Sequence, residues 1–542
     1  MKFLLNLRKP YLHLGVFVLS CVIGSVTAWH LGQDLNWDLL NYHFYNPWAF
    51  LHNRLTFDIQ PASLGSYLNP LLDLPNYLLR THFRPIFAGL ILGAVQGINI
   101  WLVFEIALIM LKDFIQKVPF RFTIALIIGV FSLFGSASLS EMGNSMCDNL
   151  TSILILSSLL FLLISTEEKK TLKLNPKQLR TISYLLAGLS VGLKLTSVVY
   201  VVPLLIAGLV GKRELRIKIK DSLWNAFMIT VGTIASGGFW YLNMWQHFKS
   251  PIFPFYNTIF KSSYYPQTNL IDYRWFPKSL IREIFYPFTF AKTQNIAAEP
   301  FFRDPRFAVL LVAIAVAIVA ILFQKLVLKR QKLFKPFSKS ELIFWIFIIL
   351  SYILWESEFS YYRYILTIEL LALTGLALII FRLFRNINIA SGVMVLLFCV
   401  INYFTVPLNW GRIPWQIDNF GPNLRQQLNY VNGTVLLPVE NPLAFLVPYF
   451  SPGTRAVDVI GWTKAQQELI AADIHEDTAV HKNFYAVETT NALNELENLR
   501  VVGFTNGICQ PIDTYAGQYL YNQVMQYKIC TLVYLTADQL KR

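Results

Sequence analysis

The sequence predicts an α-helical polytopic membrane protein of about eleven membrane segments, followed by a small C-terminal α/β domain. Two observations support this fold class. Of the 542 residues, 55% are hydrophobic and only 14% are charged, whereas soluble domains contain roughly 25% charged residues. Apolar stretches of about 17 to 25 residues, each long enough to cross a bilayer, recur along the first three quarters of the chain.

The membrane segments are expected at 11–31, 86–111, 119–138, 148–165, 182–210, 222–243, 306–324, 341–355, 364–381 and 389–407. The stretch 182–210 is ambiguous. A single helix there would place the basic sequence KRELRIKIK on the outer side of the membrane, opposite the other basic connectors. Two shorter helices that meet near GLKLT remove this conflict. Such broken helices occur where the break lines a cavity. We therefore expect a broken helix there, which brings the count to eleven.

Basic residues gather in short connectors near 2–9, 112–121, 169–180, 212–220, 325–339 and 382–385. Lys and Arg are enriched in cytoplasmic loops. The protein is therefore expected in the cell (inner or plasma) membrane. Its N-terminus would lie in the cytoplasm, and the long loops 32–82 and 244–305 would lie outside. This topology explains the formal net charge of +14, so no nucleic-acid partner is expected.

The chain is expected to divide into a membrane domain, 1–408, and an extracytoplasmic α/β domain, 409–542. The tail contains more Asp and Glu than Lys and Arg, and it mixes strand-like runs such as ICTLVYL with the helical run TKAQQELIAADIHED. Cys509 and Cys530 lie in this tail. In an oxidising compartment they could form a disulfide, and the alternative is two unpaired small hydrophobic residues.

Two carboxylates in the first long loop, Asp34 and Asp38, lie four residues apart and would share one face of a short helix. A carboxylate at the membrane surface, tuned by burial and neighbouring groups, could deprotonate an incoming hydroxyl or amine. The alternative is an interfacial helix whose acidic residues face water. Asp148, in GNSMCDNL, is a further carboxylate on the same side, and it could instead cap the helix that follows.

Five cations could hold an anionic headgroup: Lys194 in GLKLT, Arg363 in SYYRY, and Lys261, Arg274 and Arg282 in the second long loop. Ionisable residues at membrane depth are costly and usually have a polar partner or a role. The alternatives are that Lys194 extends to an interface and that Arg363 anchors one. The histidine spacing is not diagnostic of zinc. No metal ligand set is predicted, and a need for a divalent cation stays open.

The order of these motifs resembles the GT-C superfamily of integral-membrane glycosyltransferases, which includes aminoarabinose transferases and protein O-mannosyltransferases. The similar segments are WDLLNYHFYNPWAF in the first loop, the Asp of NSMCDN, AGLSVGLKLTS and YYRYILTIELL. The resemblance implies transfer of a sugar from a polyprenyl phosphate or diphosphate donor to an acceptor at the outer face, with inversion of the anomeric carbon. The partners would be this donor, membrane lipids and a glycan, lipid or protein acceptor.

Matched residue by residue, the resemblance implies that Asp38 is the catalytic base. Asp34 is a second candidate, because the adjacent acidic residues common in the mannosyltransferase branch are absent here. The acceptor or sugar would lie against Tyr42, His43 and Asp148. The lipid phosphate would lie against Lys194 and Arg363, with Lys261 and Arg274 as the loop cations nearby.

Two other classes of function remain. A transporter or flippase of a lipid-linked or anionic substrate would also use a broken helix and intramembrane cations. The acidic residues, however, gather in loops rather than at mid-membrane, and no paired half-repeats stand out. A non-catalytic assembly or anchoring factor would leave Asp38 dispensable.

Overall fold

The computed structural model of the chain describes residues 10–167, 173–211, 214–326, 336–438, 442–461, 463–480, 482–489, 495–516 and 526–535. The basic connector 2–9 lies outside these residues, as do parts of the connectors near 169–180, 212–220 and 325–339.

Long α-helices build the membrane region. They are Pro10–Leu31, Pro85–Gln96, Ile98–Met110, Val118–Ser132, Asp148–Ile164, Pro176–Leu193, Val198–Ala207, Leu215–Phe248, Arg306–Leu326, Lys339–Glu358, Leu366–Leu383 and Ile387–Phe404. In the described part of the chain, 6 helical segments are long and apolar enough to cross a bilayer, and shorter apolar helices accompany them. The polytopic helical fold is therefore confirmed, whereas the count of eleven segments stays a prediction.

The predicted break at GLKLT is confirmed. Helix Pro176–Leu193 ends at Lys194, whose backbone is extended, and a short turn leads into Val198–Ala207. The Tyr184 hydroxyl donates a hydrogen bond to the Leu204 carbonyl oxygen at 3.3 Å. Tyr184 and Leu204 are equally far along the chain from Lys194, so the two helices run antiparallel. Lys194 consequently sits at the tip of a helical hairpin.

Helix Leu366–Leu383 is the centre of the bundle, since every residue from Leu366 to Phe381 is buried. It contacts helices from both halves of the membrane region. Arg363 lies in the short turn Tyr362–Ile365 directly before it. The central helix therefore fixes the position of Arg363, which the sequence analysis proposed as a headgroup-binding cation.

The long connections meet at one end of the bundle, which we call the loop face. It is formed by residues 32–84, 133–147, 244–305, 359–365 and the tail. Short helices in these loops span Tyr45–Leu51, Leu74–His82, Ser136–Ser140, Asn257–Phe260, Leu280–Ile284 and Tyr286–Phe290. The Ser136 amide donates to Asp304 Oδ2 at 2.9 Å, which joins two of these loops. At the opposite end, ion pairs Lys112–Glu167 and Arg382–Glu341 join short connectors.

The tail forms a mixed five-stranded sheet with helices Leu424–Leu428, Lys464–Ala479 and Glu495–Val501. We number the strands of the chain β1 Gln33–Asp34, β2 Arg412–Ile413, β3 Thr434–Leu437, β4 Arg455–Asp458, β5 Phe484–Thr489, β6 Phe504–Ile512 and β7 Tyr527–Tyr534. The sheet order is β4-β3-β5-β7-β6, with β3 parallel to β4 and β5, and β7 antiparallel to β5 and β6. A disulfide joins Cys509 of β6 to Cys530 of β7, which confirms the paired alternative.

The tail and the first loop share a hydrophobic core. Leu39, Leu40 and Phe44 of the loop pack in one cluster with Phe445 and Val435 of the tail. The backbone connects the same two parts, because β1 pairs with β2 and Ile59 bridges to Val457 at the edge of β4. The proposed division at residue 408 stays a prediction, but the tail is anchored to the first loop through side chains and backbone alike.

Close packing of the first two long helices depends on glycine. A Cβ atom added at Gly24 would overlap the Gly93 carbonyl, and one added at Gly97 would overlap the Ser20 carbonyl. Small residues let membrane helices approach this closely. Gly15, on the same helix as Gly24, has no atom within 4 Å of an added Cβ.

We expect Gly24→Val to lower the free energy of unfolding by about 1–3 kcal/mol, because the larger side chain forces the helices apart. Gly15→Val is the matched control and should change it little. Thermal unfolding of both variants in one detergent measures the difference. Equal melting temperatures for the two variants would contradict this packing.

Candidate functional site

An amphipathic cavity of about 580 Å³ opens among the loops of the loop face, and we call it the charged cavity. Its lining comes from residues 42–43, 67–73, 192–196, 240–244, 251–255, 270–274 and 359–364, with Cys147 between them. The first loop, the hairpin tip and the start of the central helix therefore contribute to one space. Cations and apolar side chains such as Met244, Phe253 and Ile271 both contribute to its wall.

Asp38 lies directly before a five-residue π-helix, Leu39–His43. Asp34, in contrast, lies in strand β1 and pairs with Arg412 of β2. The prediction that Asp34 and Asp38 share one helix face is wrong, because the extended β1 backbone separates the two carboxylates. The π-helix places Tyr42 and His43 at the cavity wall, and such irregular helical turns often occur at functional sites.

Four charged side chains, which we call the Arg363 cluster, meet at the cavity wall. Lys194 and Arg363 line the cavity, and they contact Asp38 and Asp148, which are not among the lining residues. Arg363 Nη1 donates to Asp38 Oδ2 at 2.7 Å, and Lys194 Nζ donates to Asp148 Oδ1 at 2.6 Å. Arg363 Nε lies 3.2 Å from Asp148 Oδ2. No side chain of the four is more than 19% exposed. Two acidic and two basic groups compensate one another, as buried charges require.

The Arg363 guanidinium retains unused hydrogen-bonding capacity. Its contact with Asp148 lacks hydrogen-bond geometry, so Arg363 Nε and Asp148 Oδ2 are buried without a hydrogen-bond partner among the described residues. The guanidinium also lies 5.3 Å from the Tyr364 ring centroid and 5.6 Å from that of Trp410. The Arg363 guanidinium therefore lies at the cavity wall in contact with two carboxylates and two aromatic rings.

The Asp38 carboxyl is held in its charged form. Burial alone would raise its pKa, but the Arg363 guanidinium, with His43 and Tyr42, holds the pKa below its ordinary value. Asp38 is therefore a carboxylate at neutral pH, and it is a weak base while Arg363 contacts it.

Glu141 is a buried carboxyl that the sequence analysis did not single out. Burial, and then the nearby Asp148 carboxylate, raise the pKa of Glu141 well above its ordinary value. Glu141 Oε2 accepts a hydrogen bond from the Asn149 amide at 3.2 Å. Only the position of Glu141 in the short connector before Asp148 could have indicated it.

His43, Asp73 and Cys147 form a second buried group on the cavity wall. His43 Nδ1 and Asp73 Oδ1 are 2.6 Å apart, and Cys147 Sγ donates to the same oxygen at 3.2 Å. One N, one O and one S atom lie within 4.8 Å of one another, a combination that zinc accepts. Burial raises the pKa of the Cys147 thiol well above its ordinary value. Asp73 and Cys147 are far apart in sequence, so no motif predicted this group.

Asp34 lies away from the charged cavity. Its carboxylate accepts hydrogen bonds from Arg80 Nη2 at 3.1 Å and from the Ser145 amide at 2.8 Å. Burial would raise the pKa of Asp34, but Arg80 and then Arg412 hold it below its ordinary value. These contacts join the first loop, the connector before Asp148 and the tail. The position of Asp34 therefore suits a structural role.

The two loop cations, Arg274 and Lys261, differ in whether they line the charged cavity. Arg274 lines the charged cavity, but its side chain is 67% exposed and pairs with Asp272 at 2.6 Å. Lys261 is exposed and is not part of the cavity lining. Among the predicted site residues, the structure thus brings together the Arg363 cluster with Tyr42 and His43 and leaves Asp34 and Lys261 apart.

Comparison with known proteins gives one structural likeness. No protein-family model matches the chain, and no curated protein matches it. Among solved structures, the chain is similar to the crystal structure of ArnT from Cupriavidus metallidurans bound to undecaprenyl phosphate. The TM-score is 0.49 and the identity 12%, over 96% of this chain and 97% of that chain. A likeness at this level assigns no role to any residue of this chain.

We expect Asp34→Asn to destabilise the fold by roughly 3–5 kcal/mol, because it leaves the buried Arg80 guanidinium without its counter-charge. The control is Glu468→Gln, which removes the Lys464–Glu468 pair on an exposed helix surface and should cost at most about 1 kcal/mol. Thermal unfolding in detergent compares the two. An Asp34→Asn protein as stable as the control would contradict the structural role.

Proposed function

We propose that the protein is a membrane glycosyltransferase that moves a sugar from a polyprenyl-phosphate-linked donor to an acceptor, with inversion of the anomeric carbon. One observation carries this proposal: Arg363, at the wall of an amphipathic cavity, contacts the Asp38 carboxylate and shares Asp148 with Lys194. A base and two phosphate-binding cations therefore stand side by side at the end of the central helix.

The charged cavity suits a lipid-borne phosphate. Arg and Lys bind phosphate oxygens strongly, and Arg does so through two parallel N–H groups. Both Lys194 and Arg363 line the cavity. The isoprenoid carbons of the donor would lie against its apolar wall, formed by Leu72, Met244, Phe253 and their neighbours.

Phosphate binding would also activate the base. The guanidinium that lowers the Asp38 pKa is the group that a phosphate would bind. When Arg363 turns its donors to the phosphate, Asp38 loses its nearest positive partner and its pKa rises. A higher pKa makes the carboxylate a better general base. Donor binding and base activation are thereby linked through one side chain.

Sugar transfer would take place in a single displacement at the anomeric carbon. The acceptor hydroxyl oxygen attacks the anomeric carbon on the side opposite the phosphate, while its proton passes to an Asp38 oxygen. The bond between the anomeric carbon and the phosphate oxygen breaks, and its electron pair stays on the phosphate. Lys194 and Arg363 stabilise the charge that builds there. The products are an inverted glycoside and the polyprenyl phosphate.

We expect Asp38→Asn to lower the transfer rate about 10²- to 10⁴-fold, because the amide cannot accept the acceptor proton. The assay uses proteoliposomes and a panel of radiolabelled polyprenyl-phosphate sugars, with Glu468→Gln as the variant that should keep full activity. Thermal unfolding checks that Asp38→Asn is folded. A folded Asp38→Asn protein with full activity would remove Asp38 as the base. Movement of labelled lipid across the bilayer without a new covalent bond would favour a transporter.

We expect Arg363→Gln and Lys194→Gln to weaken binding of a polyprenyl phosphate roughly 10- to 100-fold, since each loses a charged hydrogen bond to the phosphate. Lys278→Gln, an exposed loop cation outside the cavity lining, is the matched control and should bind normally. Equilibrium binding of a fluorescent polyprenyl phosphate measures the affinities, with the uncharged polyprenol as a second control. Equal affinities for phosphate and polyprenol would contradict a phosphate site.

A further inference from the structure

A second cavity, of about 380 Å³, lies on the loop face beside the charged cavity, and we call it the neutral cavity. Its lining comes from the first loop, the end of helix Leu215–Phe248, the second loop and the tail: residues 45–67, 240–248, 264, 455, 469 and 473 contribute. Sites for small ligands have volumes of about 300–1,000 Å³. The neutral cavity is therefore large enough for a small ligand, and the tail forms part of its wall.

Tyr67 and Trp240 line both cavities and separate them. Trp240 Nε1 donates to the Tyr67 carbonyl oxygen at 2.8 Å, and the Tyr67 ring packs edge-on against Phe253 at 4.7 Å. Both side chains are buried. A ligand in the neutral cavity would therefore lie across one layer of aromatic side chains from the charged cavity.

The carboxylate and guanidinium groups around the neutral cavity pair with one another. Asp58 pairs with Arg54 at 2.7 Å and accepts a hydrogen bond from the Tyr45 hydroxyl at 2.8 Å. Arg455 pairs with Asp473 at 2.7 Å. Neither carboxylate is left to attract a cation, and the guanidinium is not free to attract an anion. This differs from the charged cavity, where Arg363 keeps a donor without a hydrogen-bond partner among the described residues.

Uncharged hydrogen-bonding groups remain available in the neutral cavity. Asn46 is 3% exposed, and its Oδ1 has no hydrogen-bond partner among the described residues. Its Nδ2 is used, donating to the Gly65 carbonyl at 2.8 Å. Thr56 and Asn243 also line the cavity, and within the described chain neither side chain forms a hydrogen bond. A buried, unpartnered acceptor is costly unless a ligand supplies the donor.

Aromatic rings complete the lining, from Tyr45, Phe50, Tyr67, Trp240, Phe248 and Tyr264. Ring faces pack against the C–H faces of a sugar, while amide and hydroxyl side chains pair with its hydroxyl groups. Such a surface, with its charges already paired, fits a polar but uncharged ligand.

We propose that the neutral cavity binds an uncharged saccharide and that this saccharide is the acceptor. The proposal rests on the glycosyltransferase function above and names the chemical class of its second substrate. The Tyr67–Trp240 layer would have to move aside for the acceptor hydroxyl to reach the donor. The tail thus forms part of the wall of the acceptor site, with Arg455, Leu469 and Asp473 in the lining.

The test uses the full chain in lipid nanodiscs and saturation-transfer NMR with neutral methyl glycosides and disaccharides of glucose, galactose and mannose. Matched glucuronic-acid derivatives provide the charged comparison. We expect neutral saccharides to bind at least about 10-fold more tightly than the uronic acids, since a carboxylate would lie there without a counter-charge. Asn243→Ala and Thr56→Val should each weaken neutral binding several-fold, and Lys278→Gln should not.

Binding of a fluorescent polyprenyl phosphate by the same variants separates the two proposals. Asn243→Ala should bind it normally, because Asn243 lines only the neutral cavity. The acceptor proposal is overturned if no neutral saccharide binds, if uronic acids bind equally well, or if Asn243→Ala and Thr56→Val bind neutral saccharides as the unmodified protein does. Saccharide binding without polyprenyl-phosphate binding would instead overturn the donor side of the proposed function.

Discussion

The paired burial of Asp38, Asp148, Lys194 and Arg363 is the constraint on which the loop face depends. These residues come from four separate parts of the chain: the first loop, the start of a membrane helix, the tip of the helical hairpin and the turn before the central helix. A charge that is taken out of water must find a counter-charge, and removing one partner of a buried pair typically costs about 3–5 kcal/mol. The four segments are therefore held to one point, and the charged cavity forms beside that point.

A second set of buried charges supports the first. Asp34, Arg80 and Arg412 tie the first loop to the tail, and Arg412 also donates to the Ser140 and Met142 carbonyls of the connector before Asp148. The shared hydrophobic core of loop and tail holds the same arrangement. Since the tail also lines the neutral cavity, the contacts that stabilise the loop face are also those that shape the proposed acceptor site. These shared contacts explain why the tail, whose composition is typical of a soluble domain, packs so closely against the membrane region.

The sequence was most informative about features that depend on residues close together along the chain. Apolar runs predicted the helices, and the positions of the basic connectors predicted the break near Lys194. It was least informative where the partner is distant along the chain. Asp34 was expected on a helix with Asp38, but Arg412 of β2 pairs with it in a strand. Glu141, Asp73 and Cys147 were not predicted, because their contacts arise only after the loops fold. The neutral cavity likewise requires the tail to close over the first loop.

The proposed function depends on an exchange of partners at Arg363, from the Asp38 carboxylate to the phosphate of the donor. Infrared difference spectroscopy of the protein labelled with ¹³C-aspartate, recorded on adding a polyprenyl phosphate, follows the carboxylate bands directly. If Arg363 leaves Asp38 for the phosphate, a carboxylate band shifts, and this shift is absent in Asp38→Asn and absent when the uncharged polyprenol is added. Binding of the polyprenyl phosphate with no change in the Asp38 band would contradict this exchange of partners.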